Sequence, residues 1–283
     1  MPTPDVIAAN AKLTRELRVV GRRSDGYHLI DAEMVALDLA DELEIADGDG
    51  LEVLDEVTWS GLPGTAPDAG EAAGPNLVER ALRAVGRRAS VTLKKRIPAA
   101  AGLGGASADA AAILRWAGCN DPALAAGLGA DVPFCLVGGR ARVTGIGEVV
   151  EPLGPLGPLG PLGPLGPFDK DLRRGFLLVT PRLAVATPLV YAAWDELGGP
   201  HGELGNDLEP AALAAVPGLR WWRDLMAADI GERPRLAGSG GTWFVEGETR
   251  RLLELAGQIR AEIVAGRESA FVTVANAVGA LRN

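Results

Sequence analysis

Pro98-Ala-Ala-Ala-Gly102-Leu-Gly-Gly-Ala-Ser107-Ala-Asp-Ala-Ala-Ala112 joins two segments of different period. Before it, Ser90-Val-Thr-Leu-Lys94 alternates apolar and polar residues, as a strand does. After it, the Ala-rich run from Ala108 to Trp116 reads as a helix. Glycines between a strand and a helix let the backbone come close to a ligand. The first turn of the helix adds unpaired N–H groups and the positive end of the helix dipole, so the junction predicts a phosphate site. It is neither of the commoner phosphate loops. No Gly-Lys-Ser/Thr tripeptide follows it, and Ser107 stands where the dinucleotide fingerprint needs a third glycine. The candidate cradle is Gly102, Gly104, Gly105 and Ser107, opened by Pro98. The Ser107 hydroxyl can reach a phosphate oxygen or a magnesium ion.

Composition narrows the classes of function. The chain has 283 residues, 47% hydrophobic and 23% charged, with a net charge of −9. Nonspecific nucleic-acid binding depends on cationic surface, which this balance does not provide. Local clusters of cations remain: Arg15, Arg18, Arg22 and Arg23, then Lys94, Lys95 and Arg96 directly before the phosphate loop. The second cluster, with Lys94 as the candidate contact, predicts attraction for polyphosphate. The two cysteines, Cys119 and Cys135, have no metal or redox spacing and read as packed thiols. No signal-peptide pattern and no apolar run of membrane-spanning length occur, so the cytoplasm is the expected compartment, without a membrane partner.

Along the chain, residues 5–20 alternate into a strand, Arg22 to Gly26 is a turn with Asp-Gly as its hairpin signal, and Tyr27 to Leu39 reads as the return strand. Leu43 to Ile45 and Leu51 to Val53 predict a continuing β meander. Residues 59–75 are a Gly/Pro/Ala-rich loop, and 76–86 have helical spacing. Pro152 to Pro167 is five Pro-Leu-Gly triplets and a closing Pro, read as a linker without function of its own. Beyond it, strands are predicted at 175–179, 235–237, 243–245 and 271–274. Helices are predicted at 187–197, 219–228 and 250–265, the first with Thr187-Pro188 as cap and first turn. Intermixed strands and helices indicate an α+β chain. The boundaries predicted are a domain over 1–151, the linker over 152–167 and a second domain over 168–283.

Five segments in order carry a family resemblance: Ala11-Lys12-Leu13, Asp25-Gly-Tyr-His28, the phosphate loop, Gly129-Ala-Asp-Val-Pro-Phe134 and Leu236-Ala-Gly-Ser-Gly-Gly241. Together they resemble the superfamily of galactokinase, homoserine kinase, mevalonate kinase and phosphomevalonate kinase. The match is closest to the members that phosphorylate a cytidine diphosphate-linked polyol. It covers nearly the whole chain. The resemblance implies an N-terminal domain like the second domain of ribosomal protein S5, a ferredoxin-like C-terminal domain, ATP and Mg2+ as cofactors, and a monomer or weak homodimer.

Residue by residue, it implies that Lys12 and Asp131 are catalytic, with Asp131 at the acceptor hydroxyl. Read alone, Asp131 is equally a helix N-cap. It implies that Tyr27 and Tyr191 hold a cytosine between them, with His28 at its edge and Thr187 near by. A tyrosine ring stacks on a base and an imidazole can read a pyrimidine edge. Tyr27 and Tyr191 are the chain's two tyrosines. Gly238, Ser239 and Gly240 match a second glycine loop near the acceptor's phosphates. The chain departs from the family's usual pattern at Thr14, Ala106, Ala108 and Gly241, and the span from Gly102 to Asp131 is shorter than usual. Two other readings stay open: a mevalonate- or homoserine-type kinase, and a nucleotide-binding relative with weakened catalysis.

Overall fold

The computed structural model describes residues 3–61, 76–154, 156, 174–231, 233–266 and 268–281. Most of the 59–75 loop and of the Pro-Leu-Gly repeat therefore lies outside the described residues. The chain opens with two long strands, β1 (Asp5–Arg22) and β2 (His28–Ala46), paired antiparallel along their whole length. Gly26, at φ +94°, makes the turn between them, where Asp25-Gly26 predicts one. β2 is a single strand, so Leu43 to Ile45 continues it and starts no new meander element.

The next elements are β3 (Gly50–Asp55), β4 (Ser60–Gly61), α1 (Leu77–Ala84) and β5 (Ser90–Lys95). β3 pairs parallel with β5, a crossover through α1 where a meander is the expectation. Helices α2 (Gly105–Trp116), α3 (Pro122–Leu128) and α4 (Val132–Val137) follow, then β6 (Arg140–Gly145) and β7 (Val149–Pro152). The first sheet runs β3-β5-β2-β6-β7, with β1 along the other edge of β2.

The remainder is β8 (Arg174–Pro181), α5 (Thr187–Glu196), α6 (Glu209–Ala215), α7 (Gly218–Ile230), β9 (Arg235–Leu236), β10 (Trp243–Glu248), α8 (Thr249–Gly266) and β11 (Ser269–Asn276). Its sheet has the order β4-β11-β8-β10-β9. β4, from the first half of the chain, adds an edge to this second sheet. At the other end, Ala277 and Ala280 bridge back to Leu37 and Gly138. The fold is α+β, with two sheets, and the halves are tied together by β4 and by the residues after β11.

Side-chain alternation builds the core between the sheets. On β8, Phe176 and Leu178 join Phe244, Ala275, Ala11, Leu13, Val35 and Leu37 in one buried cluster. Leu177 and Val179 point the other way, with Leu252, Ala256 and Ile259 of α8 in the larger core. Ile97, Ala101, Leu103 and Ala237 belong to the inter-sheet cluster. Both glycine loops are thus seated on the seam between the two sheets.

β1 carries the device that aims the site. Its register against β2 shifts between Asn10 and Lys12, and again between Thr14 and Glu16. Ala9, Leu17 and Val19 pack in the larger core, whereas Ala11 and Leu13, between the shifts, pack in the inter-sheet cluster. A bulge turns a side chain to the other face of its sheet. Here two bulges turn Ala11 and Leu13 into the inter-sheet cluster and leave Lys12 and Thr14 on the opposite face of the strand, with the Lys12 stem against Gly104 of the phosphate loop.

Candidate active site

The phosphate loop turns on two left-handed residues, Gly102 at φ +78° and Gly104 at φ +71°. Gly104 is the N-cap of α2 and offers no side chain to the first turn. The helix starts at Gly105, so Gly105, Ala106 and Ser107 form that first turn, three residues earlier than the periodicity predicts. Their N–H groups are left for a ligand. The loop is tied to β1 through the Lys12 amide, which donates to the Leu103 carbonyl at 2.9 Å. A Cβ on Gly104 would lie 2.7 Å from Lys12 Cγ, so the lysine stem runs directly against the loop.

Lys12 is buried, 6% exposed. Its Nζ donates to Thr14 Oγ1 at 3.1 Å and lies 3.4 Å from Asp131 Oδ2. Asp131 occupies the N-cap position of α4 but makes no side-chain capping bond there. Its backbone starts a helix, and its carboxylate is left to face Lys12. The turn that carries it approaches the phosphate loop, since Ser107 Oγ is 4.0 Å from where a Cβ of Gly129 would stand.

The second glycine loop abuts the first. A Cβ on Gly102 would lie 2.8 Å from Gly240 Cα, backbone against backbone. Thr242 Oγ1 donates to the Ala101 carbonyl at 2.7 Å and lies 2.8 Å from Thr180 Oγ1, fixing the contact. Asn206 Nδ2 donates to the carbonyls of Leu236 and Gly238 at 2.9 and 2.7 Å, holding the loop from behind. Gly238 faces Thr14, with a Cβ there 3.5 Å from Thr14 Oγ1. Ser239 Oγ is 2.8 Å from Thr187 Oγ1, which ties the loop to the start of α5.

One turn along α5, Tyr191 stacks on His28 with ring centroids 4.7 Å apart and planes at 19°. Trp194 meets the same imidazole edge-on at 5.5 Å. His28 Nε2 is 2.8 Å from Asp195 Oδ1. Burial, with the negative charge of Asp131 added, pushes the Tyr191 hydroxyl up to about 12. The cytosine sandwich expected from the sequence differs in detail. His28 itself lies on Tyr191, because Asp195 anchors its far nitrogen, while Tyr27 is 60% exposed and stacks on no ring among the described residues.

The basic clusters also differ from expectation. The Lys94 ammonium is held by Glu42, at 2.9 Å, and by Glu44, and these two carboxylates raise its pKa. Lys94 is no free cation for a polyphosphate. Arg96 is bound by Glu56 and Glu42, and Arg15, Arg18, Arg22 and Arg23 are each paired with an acid. In a chain with 37 acids and 28 bases, cations on paired strands find acidic cross-strand neighbours. Pro98 is buried where it opens the loop.

Lys95, the neighbour of Lys94, is the cation that reaches the loop. Alternation along β5 points it under α2, 3.2 Å from where a Cβ of Gly105 would stand. It pairs there with Asp109 at 2.7 Å and with Asp41. Asp41 also accepts from the amides of Arg96 and Ile97 at 2.6 and 2.8 Å, fixing the approach to the loop. Asp109 is buried, and desolvation raises its pKa to about 7 against the pull of the Lys95 ammonium. Two carboxylates share this one ammonium. The spacing of Lys95 and Asp109 around the loop was a readable signal, but which of two adjacent lysines faces inward depended on the strand register.

This buried group has a pH consequence. An unfolded Asp109 loses its proton near 3.8, the folded one near about 7. Between those values the native state holds more protons, so stability falls as pH rises across that window. Asp109→Asn is expected to flatten the dependence and to raise the melting temperature by about 2 °C or more at pH 8. Thermal unfolding at pH 5 and pH 8 checks it. An unchanged pH difference counts against a proton on Asp109.

Among the described residues no group of three or more His, Cys, Asp or Glu side chains could hold a metal. A magnesium ion bound with nucleotide needs few protein ligands, because phosphate and water oxygens supply the rest. The Ser107 hydroxyl in an uncapped helix turn fits that role. Cys135 is buried and its thiol is pushed well up by desolvation, which suits a packed, unreactive residue. No helix among the described residues is long and apolar enough to cross a membrane.

The family described as GHMP kinases N terminal domain matches residues 76–139, from the start of α1 to the end of α4. The chain is 38% identical over 262 residues to the 4-diphosphocytidyl-2-C-methyl-D-erythritol kinase of Paracoccus denitrificans, covering 86% of this chain and 87% of that one. It is 41% identical over 263 residues to the enzyme of that name in Rhodopseudomonas palustris, covering 83% and 86%. A crystal structure of 4-(cytidine 5'-diphospho)-2C-methyl-D-erythritol kinase superposes with a TM-score of 0.67 at 29% identity, over 97% of this chain and 100% of that one. Mevalonate kinase from Methanococcus jannaschii, at a TM-score of 0.59 and 14% identity, shares the fold. With this degree of identity over this length, the chain belongs to the 4-diphosphocytidyl-2-C-methyl-D-erythritol kinase family, within the GHMP kinases.

Proposed function

We propose that this chain transfers the γ-phosphoryl group of ATP to the 2-hydroxyl of 4-diphosphocytidyl-2-C-methyl-D-erythritol, in the methylerythritol phosphate route to isoprenoids. The observation that carries this reading is the Lys12–Asp131 pair, set between two joined glycine loops and the Tyr191–His28 shelf. Phosphoryl transfer asks for positioning and charge stabilisation more than covalent help. The first turn of α2 and Ser107 hold the nucleotide's phosphates, and Ser107 with those phosphates holds Mg2+, which supplies charge neutralisation when bound. Asp131 orients the acceptor hydroxyl and accepts its proton. Lys12 stabilises the charge that builds on the transferring group. Gly238, Ser239 and Gly240 receive the acceptor's phosphates, and Tyr27, His28, Thr187 and Tyr191 receive its cytidine end. The enzyme works in the cytoplasm as a monomer or weak homodimer, without nucleic acid.

A mevalonate- or homoserine-type acceptor has no base for the aromatic shelf, which disfavours those alternatives. The test mixes purified protein with ATP, magnesium and each of the three acceptors, and follows ADP release. Turnover confined to the cytidine-linked polyol is expected; turnover of mevalonate or homoserine alone overturns the assignment. Tyr191→Ala should raise the acceptor KM about ten- to a hundredfold, since an aromatic–base stack is worth about 1–3 kcal/mol. The KM for ATP should not change. The reverse pattern would sink the placement of the cytidine.

A further inference from the structure

One face of α5 is assembled around a single imidazole. Tyr191 stacks on His28, Trp194 meets its edge and Asp195 takes its Nε2, three contacts from positions one turn apart. The rest of α5 is largely exposed, with Val190 its one buried hydrophobic residue. Trp194 is itself fixed, its Nε1 donating to the Pro200 carbonyl at 3.0 Å and its ring packed on Gly199. The His28 side chain is 8% exposed. So much fixing of one ring is more than packing requires, and the direction of the Asp195 bond has a chemical consequence.

A carboxylate only accepts, so His28 Nε2 must donate to Asp195. In a neutral imidazole Nδ1 is then an acceptor. Arg22 Nη1 lies 3.2 Å from the other oxygen of Asp195, which fixes the carboxylate from its far side. We propose that Asp195 is a specificity-positioning residue that fixes His28 in the tautomer with Nδ1 as acceptor, and so selects an acceptor substrate whose base offers an amino group there. Cytosine presents such a donor where uracil presents a carbonyl oxygen. This rests on the kinase reading above and adds Asp195 as the residue that sets how His28 presents itself to the base. Discrimination here works by leaving the wrong base's oxygen facing another acceptor, which costs more than a missing contact.

The test has two independent readouts. The chain has two histidines, and the other, His201, places Nδ1 rather than Nε2 3.3 Å from its acid, Asp207. Nitrogen-15 spectra of the imidazoles are expected to show His28 as the Nε2–H tautomer, assigned by its loss in His28→Gln. Binding of CDP and of UDP is then measured by calorimetry. In the parent, CDP should bind at least about tenfold more tightly than UDP. In Asp195→Ala that ratio should fall to about threefold or less, with ATP binding unchanged. Asp195→Asn, which keeps an acceptor oxygen, should restore most of it. An Nδ1–H tautomer in the parent, or undiminished selectivity in Asp195→Ala, overturns the proposal alone. No binding of CDP and no turnover of any cytidine-linked acceptor overturns the kinase reading and this proposal with it.

Discussion

Asp131→Asn and Lys12→Met are each expected to lower kcat by about a thousandfold or more while leaving ATP affinity within a few-fold of the parent. The two side chains face each other at 3.4 Å, beside the phosphate loop and within electrostatic reach of the aromatic shelf. Groups that position a hydroxyl, move its proton or stabilise developing charge contribute about 10²–10⁴-fold each. The asparagine keeps the shape of Asp131 and its N-cap backbone, and Asp131 makes no capping bond to lose. Stability should therefore hold, and the effect should fall on turnover. Methionine keeps the Lys12 stem that packs on Gly104 and removes only the charge. Single-turnover kinetics with ATP in excess, beside a nucleotide titration, separates the two effects. If Asp131→Asn keeps near-normal turnover, its catalytic assignment is wrong. The double variant should be little worse than either single one, because residues that act as a unit are not additive.

The sequence displayed the elements whose signals are local. Gly102, Gly104 and the Ala-rich run announce a loop entering a helix. Asp25-Gly26 announces the first hairpin, and the short apolar runs Phe176 to Val179 and Trp243 to Val245 match strands buried on both faces there. What it did not display is set by register and by long-range pairing. β3 pairs parallel with β5, and nothing within residues 50–55 distinguishes that from a meander. The short helices α3 and α6 and the strands β6 and β7 stand on few residues each and carry little periodicity. In the site, Lys12, Asp131, Ser107 and the second glycine loop could be named because each sits in a motif. Lys94 and Lys95 are adjacent cations that face opposite ways on one strand, and only the fold shows that Lys95 is the one beneath α2. Asp195 was invisible, since its partner His28 is 167 residues away. Whether one compact fold or two independent domains best describes residues 1–151 and 168–283 is a matter of energetics. β4 and residues 277–281 cross between the halves, and we propose that they unfold together.

Replacing Gly102 by alanine is expected to cut kcat/KM by at least about a hundredfold and to lower the melting temperature by several degrees. Two costs coincide. At φ +78° an L-residue gives up roughly 1–2 kcal/mol relative to its preferred conformations. The new methyl would also stand 2.8 Å from Gly240 Cα, and that neighbour is backbone, held by the Thr242–Ala101 and Asn206 hydrogen bonds. It cannot rotate aside as a side chain would. The two glycine loops must part, and the phosphates of nucleotide and acceptor, which we propose they hold, would part with them. A displacement of about 1 Å at a reacting centre is enough for a hundredfold loss. Gly240→Ala should act alike from the other side, with the lesser backbone strain, since Gly240 is not among the left-handed glycines. The decisive measurement is the double variant. If the loops fail by separating, the second methyl enters space the first has already opened. The effects of the two changes should then fall short of their sum by more than the about 0.3–0.5 kcal/mol that independent sites show. Simple additivity would mean that the loops are not a single unit, and that the acceptor's phosphates are held by some other part of the fold.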